Sequence, residues 1–267
     1  MKKFLAQSYI YLLLVMLYAP LVIIVVFSFT EARALGNWTG FSTQLYESLF
    51  TGGMRNSEAL SAALKNTLII ATVSALVATI LGTVSAIGIH SLRGRKRKAI
   101  TFFNNIPMLN PDIITGVSLF LLFVSLGISQ GYTTVILAHI TFCTPFVVLN
   151  VMPRLTQLNP NIYEAALDLG ATPMQALRKV IIPQLRGAML TGFILSFAMS
   201  IDDFVVTVFT KGNQGLETLS TFIYNDARKG GLTPELRPLM SIVFLTILIL
   251  LIIGNIRSSK QAKNKKK

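Results

Sequence analysis

Apolar residues run through this chain in long blocks, broken by short polar clusters. Six blocks stand out: Tyr9 to Phe29, Leu68 to Ile89, Phe102 to Leu126, Thr133 to Val151, Ala188 to Phe209 and Leu239 to Ile256. Each is close to the ~20 residues that a helix needs to cross the hydrocarbon core of a bilayer. The pattern predicts an all-α polytopic membrane protein with six transmembrane helices. The opening MKKF leads into an apolar run longer than the core of a secretory signal, and no small-residue cleavage site follows. It reads as an uncleaved first helix, followed by an outer segment, with both inside 1–60.

Composition agrees. Only 13% of the 267 residues are charged, about half the share usual in a soluble chain. A net charge of +13 would suit a nucleic-acid partner if it formed one patch, but the basic residues lie in clusters between apolar blocks. One set of loops holds most of the 24 Lys and Arg: Lys2, Lys3, the RGRKRK run at 93–98, Arg154, Arg178, Lys179, Arg186 and the tail RSSKQAKNKKK. The opposite set holds Arg33, Arg55, Lys65, Lys211, Arg228, Lys229 and Arg237, mixed with acids. The positive-inside rule therefore places both termini in the cytoplasm. The tail, 257–267, reads as an electrostatic anchor to anionic membrane lipid, and no nucleic-acid partner is expected. The one cysteine, Cys143, lies in an apolar block, where it reads as a small buried hydrophobe. His90 and His139 have no second ligand at metal-binding spacing, so no metal site is expected.

Between the fourth and fifth blocks, on the cytoplasmic side, comes a polar stretch: YEAALDLGATPMQALRKVIIP, residues 163–183. Asn161 is placed to cap a helix with Glu164 at its third position. Ile162, Ala165, Ala166 and Leu169 share one apolar face, and Gly170 suits the left-handed residue that ends such a helix. Thr172, Pro173 and Gln175 form the start signal of a second helix, with Met174, Leu177 and Ile181 on its apolar face and Pro183 closing it. Neither helix is long enough to be stable alone, so each needs a surface to dock on. From the pattern, that surface is either the membrane or a partner protein.

Glu164-Ala165-Ala166, Gly170, Val180 and Ile182-Pro183 resemble, in type and spacing, the EAA motif of ABC-importer permeases. Val180 and Ile182 replace the family's Ile and Leu and keep shape and polarity. The resemblance covers residues 61–256 and implies the MetI-like core of a type I importer, with 161–183 as the loop that couples to a cytoplasmic ABC ATPase. It implies that Glu164, Ala165, Ala166, Gly170 and Pro183 form the ATPase-docking element. It also implies a second homologous permease subunit, an ATPase dimer and an extracytoplasmic substrate-binding protein as partners. The chain has no G-x-x-x-x-G-K-[ST] phosphate loop, so no catalytic residue and no cofactor of its own are expected. ATP and magnesium would be bound by the ATPase. PDIITGVSLF (111–120), HITFCTPFVVLNVMPRL (139–155) and SIDDFVVTVFTKG (200–212) narrow the resemblance to polyamine-importer permeases.

The residues themselves agree with a cationic substrate. Asp112 lies well inside the third block, and Asp202 and Asp203 well inside the fifth, with no Lys or Arg in any block to neutralise them. Acids at such depth usually face a pathway or a partner. Asp112, Asp202 and Asp203 are therefore the candidate substrate-pathway residues. An aspartate in such a place also suits a cap on a broken helix or a pairing with a neighbouring subunit. Adjacent helical residues differ by about 100° in direction, so Asp202 and Asp203 are not expected to face one pore together. Pro107 and Pro111 flank a stretch expected to break the third helix. An ABC-importer permease for another small solute is the alternative within the class, and a self-sufficient, ion-coupled secondary transporter is the rival from outside it; the latter accounts for the acids but not for the helix–Gly–helix stretch. Ala71, Ala75, Ala78, Gly82 and Ala86 give the second helix a small-residue face, read as packing within the chain. Trp38 and Tyr46 suit the membrane–water interface.

Overall fold

A computed structural model describes residues 2–32, 36–51, 57–159, 161–229 and 233–264. Arg33 and Arg55 of the outer basic set, and the three lysines that end the tail, lie outside them. Regular structure among the described residues is helical throughout. In chain order come α1 (Lys2–Phe27), α2 (Gln44–Thr51), α3 (Ser57–Ser91), α4 (Gly94–Leu109), α5 (Asp112–Ser125) and α6 (Tyr132–Thr156). Then follow α7 (Asn161–Asp168), α8 (Pro173–Ala176), a π-helical turn Leu177–Ile181, α9 (Ile182–Asp202), α10 (Val205–Thr210), α11 (Leu219–Arg228) and α12 (Leu236–Asn264).

Four stretches of the described residues are helical, long and apolar enough to cross a membrane: Gln7–Phe27, Ser57–Ser91, Tyr132–Thr156 and Pro173–Asp202. The third block is instead a bent pair, α4 and α5, meeting at 105°. The break sits at Asn110 and Pro111, both extended (ψ 138° and 140°). A proline drives the residue before it out of the helical region, which explains the position. Pro107 stays inside α4 and does not break it. The last block carries the shorter apolar helix Leu236–Ile249 at the start of α12.

Two more local readings need correction. Pro183 does not close the second helix of the 163–183 stretch; it sits in the first turn of α9, and the chain stays helical from Pro173 to Asp202. Proline inside a helix removes a hydrogen bond and clashes with the carbonyl four residues back. The π turn directly before it widens the helix by one residue and absorbs the misfit. At α7, Asn161 is the first helical residue and not the cap. Its N–H donates to Asn159 Oδ1 at 3.0 Å, so the capping side chain lies two residues earlier.

The chain forms two compact units, residues 1–61 with 223–256, and residues 62–222 with 257–267. In the first, Phe29 stacks on Phe41 and Tyr46, with centroids 5.5 and 5.0 Å apart, and Phe27 meets Trp38 edge-on. Arg237 is fully buried and donates through Nη1 to the Ala32 carbonyl at 2.7 Å. This arginine of the outer basic set thus ties α12 to the segment after α1.

The second unit is organised on α6. Ala78, Ala86 and Ile89 of α3 pack with Cys143, Val147, Val148, Val151 and Leu155 of α6 and Leu185 of α9. The small-residue face of α3 is buried along its length, as intrachain packing requires. Its closest approach is at Gly82. A Cβ there would lie 2.6 Å from Val147 Cβ and 3.0 Å from the Thr144 carbonyl oxygen. From α9, Gly192 approaches the same Val147. Two glycines on two helices therefore let one valine sit between them. Gly82→Val is expected to destabilise the fold by at least ~1–3 kcal/mol through overpacking, read as a lower melting temperature in detergent. Gly88→Ala on the same helix, where a Cβ meets nothing within 4 Å, is expected to leave that temperature unchanged or raise it.

Candidate functional site

α9 ends at Asp202 because Asp203 is extended (φ −64°, ψ 128°). A helix broken inside an apolar span frees backbone groups that lipid cannot satisfy. Here the Val206 and Thr207 N–H groups and the Asp203 carbonyl find side-chain partners. Asp203 Oδ1 accepts from the Val206 N–H at 3.3 Å, and Oδ2 from the Thr207 N–H at 2.8 Å and the Thr207 hydroxyl at 2.7 Å. Asp203 is thus the cap of α10. Its own carbonyl accepts from Ser220 Oγ at 2.6 Å. His139 of α6, fully buried, completes the cluster. Its Nδ1 lies 2.6 Å from Ser200 Oγ and its Nε2 3.0 Å from Thr207 Oγ1 and 3.4 Å from Asp203 Oδ2.

The hydrogens can be placed by counting donors. Three donors converge on the Asp203 carboxylate, a pattern that suits the ionised, acceptor-only form. The Thr207 hydroxyl spends its one hydrogen on Asp203, so toward His139 it accepts. The proton therefore sits on His139 Nε2, and Ser200 donates to Nδ1 when the ring is neutral.

Asp202, one residue away, is exposed, whereas the Asp203 side chain keeps 9% of its exposure. The extended residue between helix and half-helix sends the two carboxylates to different places. Asp112 is also exposed, in the first turn of α5 beside the Asn110–Pro111 break. The positive end of the α5 dipole favours a negative charge there. No side-chain hydrogen bond caps α5, so Asp112 is no cap of the Asp203 kind.

The two breaks are related. α5 and α10 pack closely: a Cβ on Gly116 would lie 2.9 Å from the Phe209 ring and 3.4 Å from Val206 Cα. Farther along, Gly212 lies against Gln130. The two half-helices therefore run in the same direction. Their starts, with Asp112 on one and Asp202 and Asp203 on the other, lie on the same side of the Gly116 contact.

The helix–Gly–helix stretch forms largely as its sequence dictates. Gly170 has φ +85°. The Ala171 N–H bonds the Ala166 carbonyl at 3.1 Å and the Gly170 N–H bonds the Leu167 carbonyl at 2.9 Å, the paired bonds of a Schellman ending. Thr172 and Gln175 close a reciprocal capping box. Glu164, Ala165 and Leu169 are exposed, Leu169 to 89%, and Met174 is exposed as well. Leu169 is thus not on a face packed within this chain, while Ile181 packs on the α3–α6–α9 core. Leu169 and Met174 leave an apolar patch on either side of the turn.

His139 is the residue that sequence reading left out. Its spacing to other ligands excluded a metal, and counting only Lys and Arg as possible partners hid the imidazole facing Asp203. The available signal was a titratable side chain in the fourth block when unpartnered acids stood in the fifth.

Residues 78–258 match the family of binding-protein-dependent transport system inner membrane components. The spermidine/putrescine transport system permease protein PotC of Haemophilus influenzae is 37% identical over 257 residues, covering 96% of this chain and 97% of that protein. The putrescine transport system permease protein PotI of Escherichia coli is 36% identical, covering 85% of this chain and 81% of that one. Among solved structures, a bacterial ABC importer of alginate aligns with a TM-score of 0.69 at 14% identity, covering 96% and 95% of the two chains. The inward-facing MetNI methionine transporter aligns at 0.60 and 20% identity, covering 79% of this chain and 99% of that one. At these identities the structural likeness establishes the fold.

The geometry separates the two neighbouring acids by what their loss removes. Asp203→Leu is expected to uncap α10 and strand three donors, at ~1–3 kcal/mol, and so to lower thermal stability in detergent. Asp202→Leu is expected to leave the melting temperature within a degree or two, since its exposed side chain makes no hydrogen bond among the described residues.

Proposed function

The chain belongs to the family of binding-protein-dependent transport system inner membrane components, and on that premise we propose that it is the permease subunit of an ATP-driven importer of spermidine and putrescine. It is a multi-pass protein of the bacterial inner membrane. The observation that carries the substrate reading is the likeness of nearly the whole chain to polyamine permeases, and the exposure of Asp112 and Asp202 at its two helix breaks supports it.

A polyamine carries two or more positive charges and must shed water to cross. A carboxylate within ~4 Å offers about 4 kcal/mol per charge at an effective dielectric near 20, before desolvation is subtracted. Carboxylates spaced along a path favour entry without holding the cation too tightly to leave. Asp112 and Asp202 supply such stations. Asp203 belongs to the wall that shapes the path, not to its surface.

Six spans with both termini in the cytoplasm suit the basic-residue asymmetry, with the broken α4–α5 pair and α12 as two of the six. The turn around Gly170 then lies in the cytoplasm, where Glu164, Ala165, Leu169 and Met174 meet a cleft of a separate ABC ATPase. ATP and magnesium belong to that ATPase dimer, and hydrolysis takes place there. A second homologous permease completes the path, and an extracytoplasmic binding protein delivers the polyamine. Co-purification of an ATPase and a second EAA-containing chain separates this reading from an ion-coupled secondary transporter.

Uptake of labelled polyamine by cells carrying the whole system tests the pathway. Asp202→Asn is expected to lower uptake about tenfold or more, the effect of ~1.4 kcal/mol at the rate-limiting barrier. Asp112→Asn is expected to lower it too, and Asp203→Asn least, with assembly intact in all three. Wild-type uptake in both Asp112→Asn and Asp202→Asn would exclude the carboxylate path. Gly170→Val tests the coupling. A left-handed valine costs at least ~1–2 kcal/mol and misaligns α7 and α8, so transport-stimulated ATPase activity should fall while the permease remains in the membrane. Normal stimulation would make the stretch a surface helix pair.

A further inference from the structure

His139 has no part in the transport scheme above, and its surroundings give it one. It is fully buried on α6, and its two ring nitrogens reach two different helices. Nδ1 meets Ser200, in the last turn of α9, at 2.6 Å. Nε2 meets Thr207, in the first turn of α10, at 3.0 Å. The break between those helices lies between the two bonds.

We propose that His139 is a positioning residue for the translocation path: its imidazole staples the end of α9 to the start of α10 and so fixes where Asp202 stands. The assignment rests on the proposed role of Asp202 in meeting the cation. The geometry makes the case in three steps. Asp202 is the last residue of α9 and is joined to α10 only through extended Asp203 and through Phe204. The Asp203 cap and the Ser220 bond hold the α10 side of the break. On the α9 side the side-chain bond across the break is Ser200 to His139. Without it, the tie nearest the end of α9 is the Cys143 Sγ contact with the Ser196 carbonyl, one turn earlier, so the last turn can shift against α10 and carry Asp202 with it.

No other side chain replaces the imidazole. A rigid ring with nitrogens on opposite edges holds two hydroxyls on two helices at once. Asparagine is long enough to keep the Ser200 bond but not the Thr207 bond. Glutamine reaches Thr207 at the expense of Ser200. The aromatic ring of Phe142 sits 5.1 Å from the imidazole and packs its face, leaving both nitrogen edges to the hydroxyls. The staple works in either charge state, because the Ser200 hydroxyl donates to a neutral ring and accepts from a protonated one.

The test uses the assembled transporter in nanodiscs. Cys143 is the one cysteine of the chain, so Cys143→Ala with Asp202→Cys, labelled with a nitroxide before assembly with unlabelled partner subunits, leaves a single labelled thiol at 202. With His139 present the label is expected to give a single, restricted spectrum. His139→Phe and Thr207→Val are each expected to add a mobile component, and Thr207→Ser, which keeps the hydroxyl, to restore the restricted one. In the native Asp202 background, the same His139→Phe and Thr207→Val changes are expected to raise the half-saturating polyamine concentration at least fivefold, with a smaller fall in maximal rate. If His139→Phe does not assemble, the Thr207→Val and Thr207→Ser pair decides alone. A label spectrum unchanged in assembled His139→Phe and Thr207→Val would overturn the staple. A changed spectrum with unchanged half-saturation would overturn its role in the path. A label that responds in a transporter whose unmodified form takes up no polyamine would retain the staple and reject the substrate reading instead.

Discussion

The structure depends on how broken helices are satisfied away from water. A helix that stops inside an apolar span strands N–H and C=O groups at several kcal/mol each. At the α9–α10 break the chain meets this cost with side chains. The Asp203 carboxylate takes the N–H groups of Val206 and Thr207, and Ser220 donates to the Asp203 carbonyl. A charge is placed where only a charge with converging donors is stable, and His139 and Thr207 keep it there. That arrangement leaves Asp202 on the other side of the kink, free of structural duty. The two aspartates look like a repeated motif in sequence, yet they divide into a structural and an exposed acid because the backbone between them is extended.

The α4–α5 break follows a different logic. Proline at 111 costs no N–H, since it has none, and sets Asn110 extended. Asp112 then falls in the first turn of a half-helix, where the dipole favours a carboxylate without demanding hydrogen bonds from it. Close packing through Gly116 brings α5 against α10. Two unlike breaks thus present acids on one side of a shared contact.

Much of this was legible in the chain. Apolar blocks marked most of the spans, and the small-residue face of α3 predicted close packing within the chain, which is made against α6 at Gly82 and Val147. Gly170, Thr172 and Gln175 announced their turn and capping box because these signals are local and need no neighbours. What stayed hidden was non-local. Pro183 reads as a helix end until a π turn ahead of it absorbs the misfit. His139 reads only as a histidine without a second metal ligand until α9 and α10 are seen on either side of it. Leu169 is on an apolar face whose partner the pattern alone does not choose, because such a face looks the same whether it meets the membrane or a protein.

The π turn has a consequence for coupling. Because Pro183 does not end the helix, one helical rod of 30 residues runs from Pro173 to Asp202, about 45 Å at 1.5 Å per residue. Its first turn is locked to the Gly170 bend by the Thr172–Gln175 capping box, and its last residue is Asp202. On the proposed reading, a push by the ATPase at the Gly170 bend therefore needs no relay of loose contacts to reach the path, since a helix transmits displacement along its axis through its own hydrogen bonds. The rod packs on α6 through Leu185 and Gly192, and at its far end the His139–Ser200 bond ties it to the same helix. The end of the rod is accordingly the place where a displacement at the cytoplasmic turn becomes a change in the setting of one exposed carboxylate.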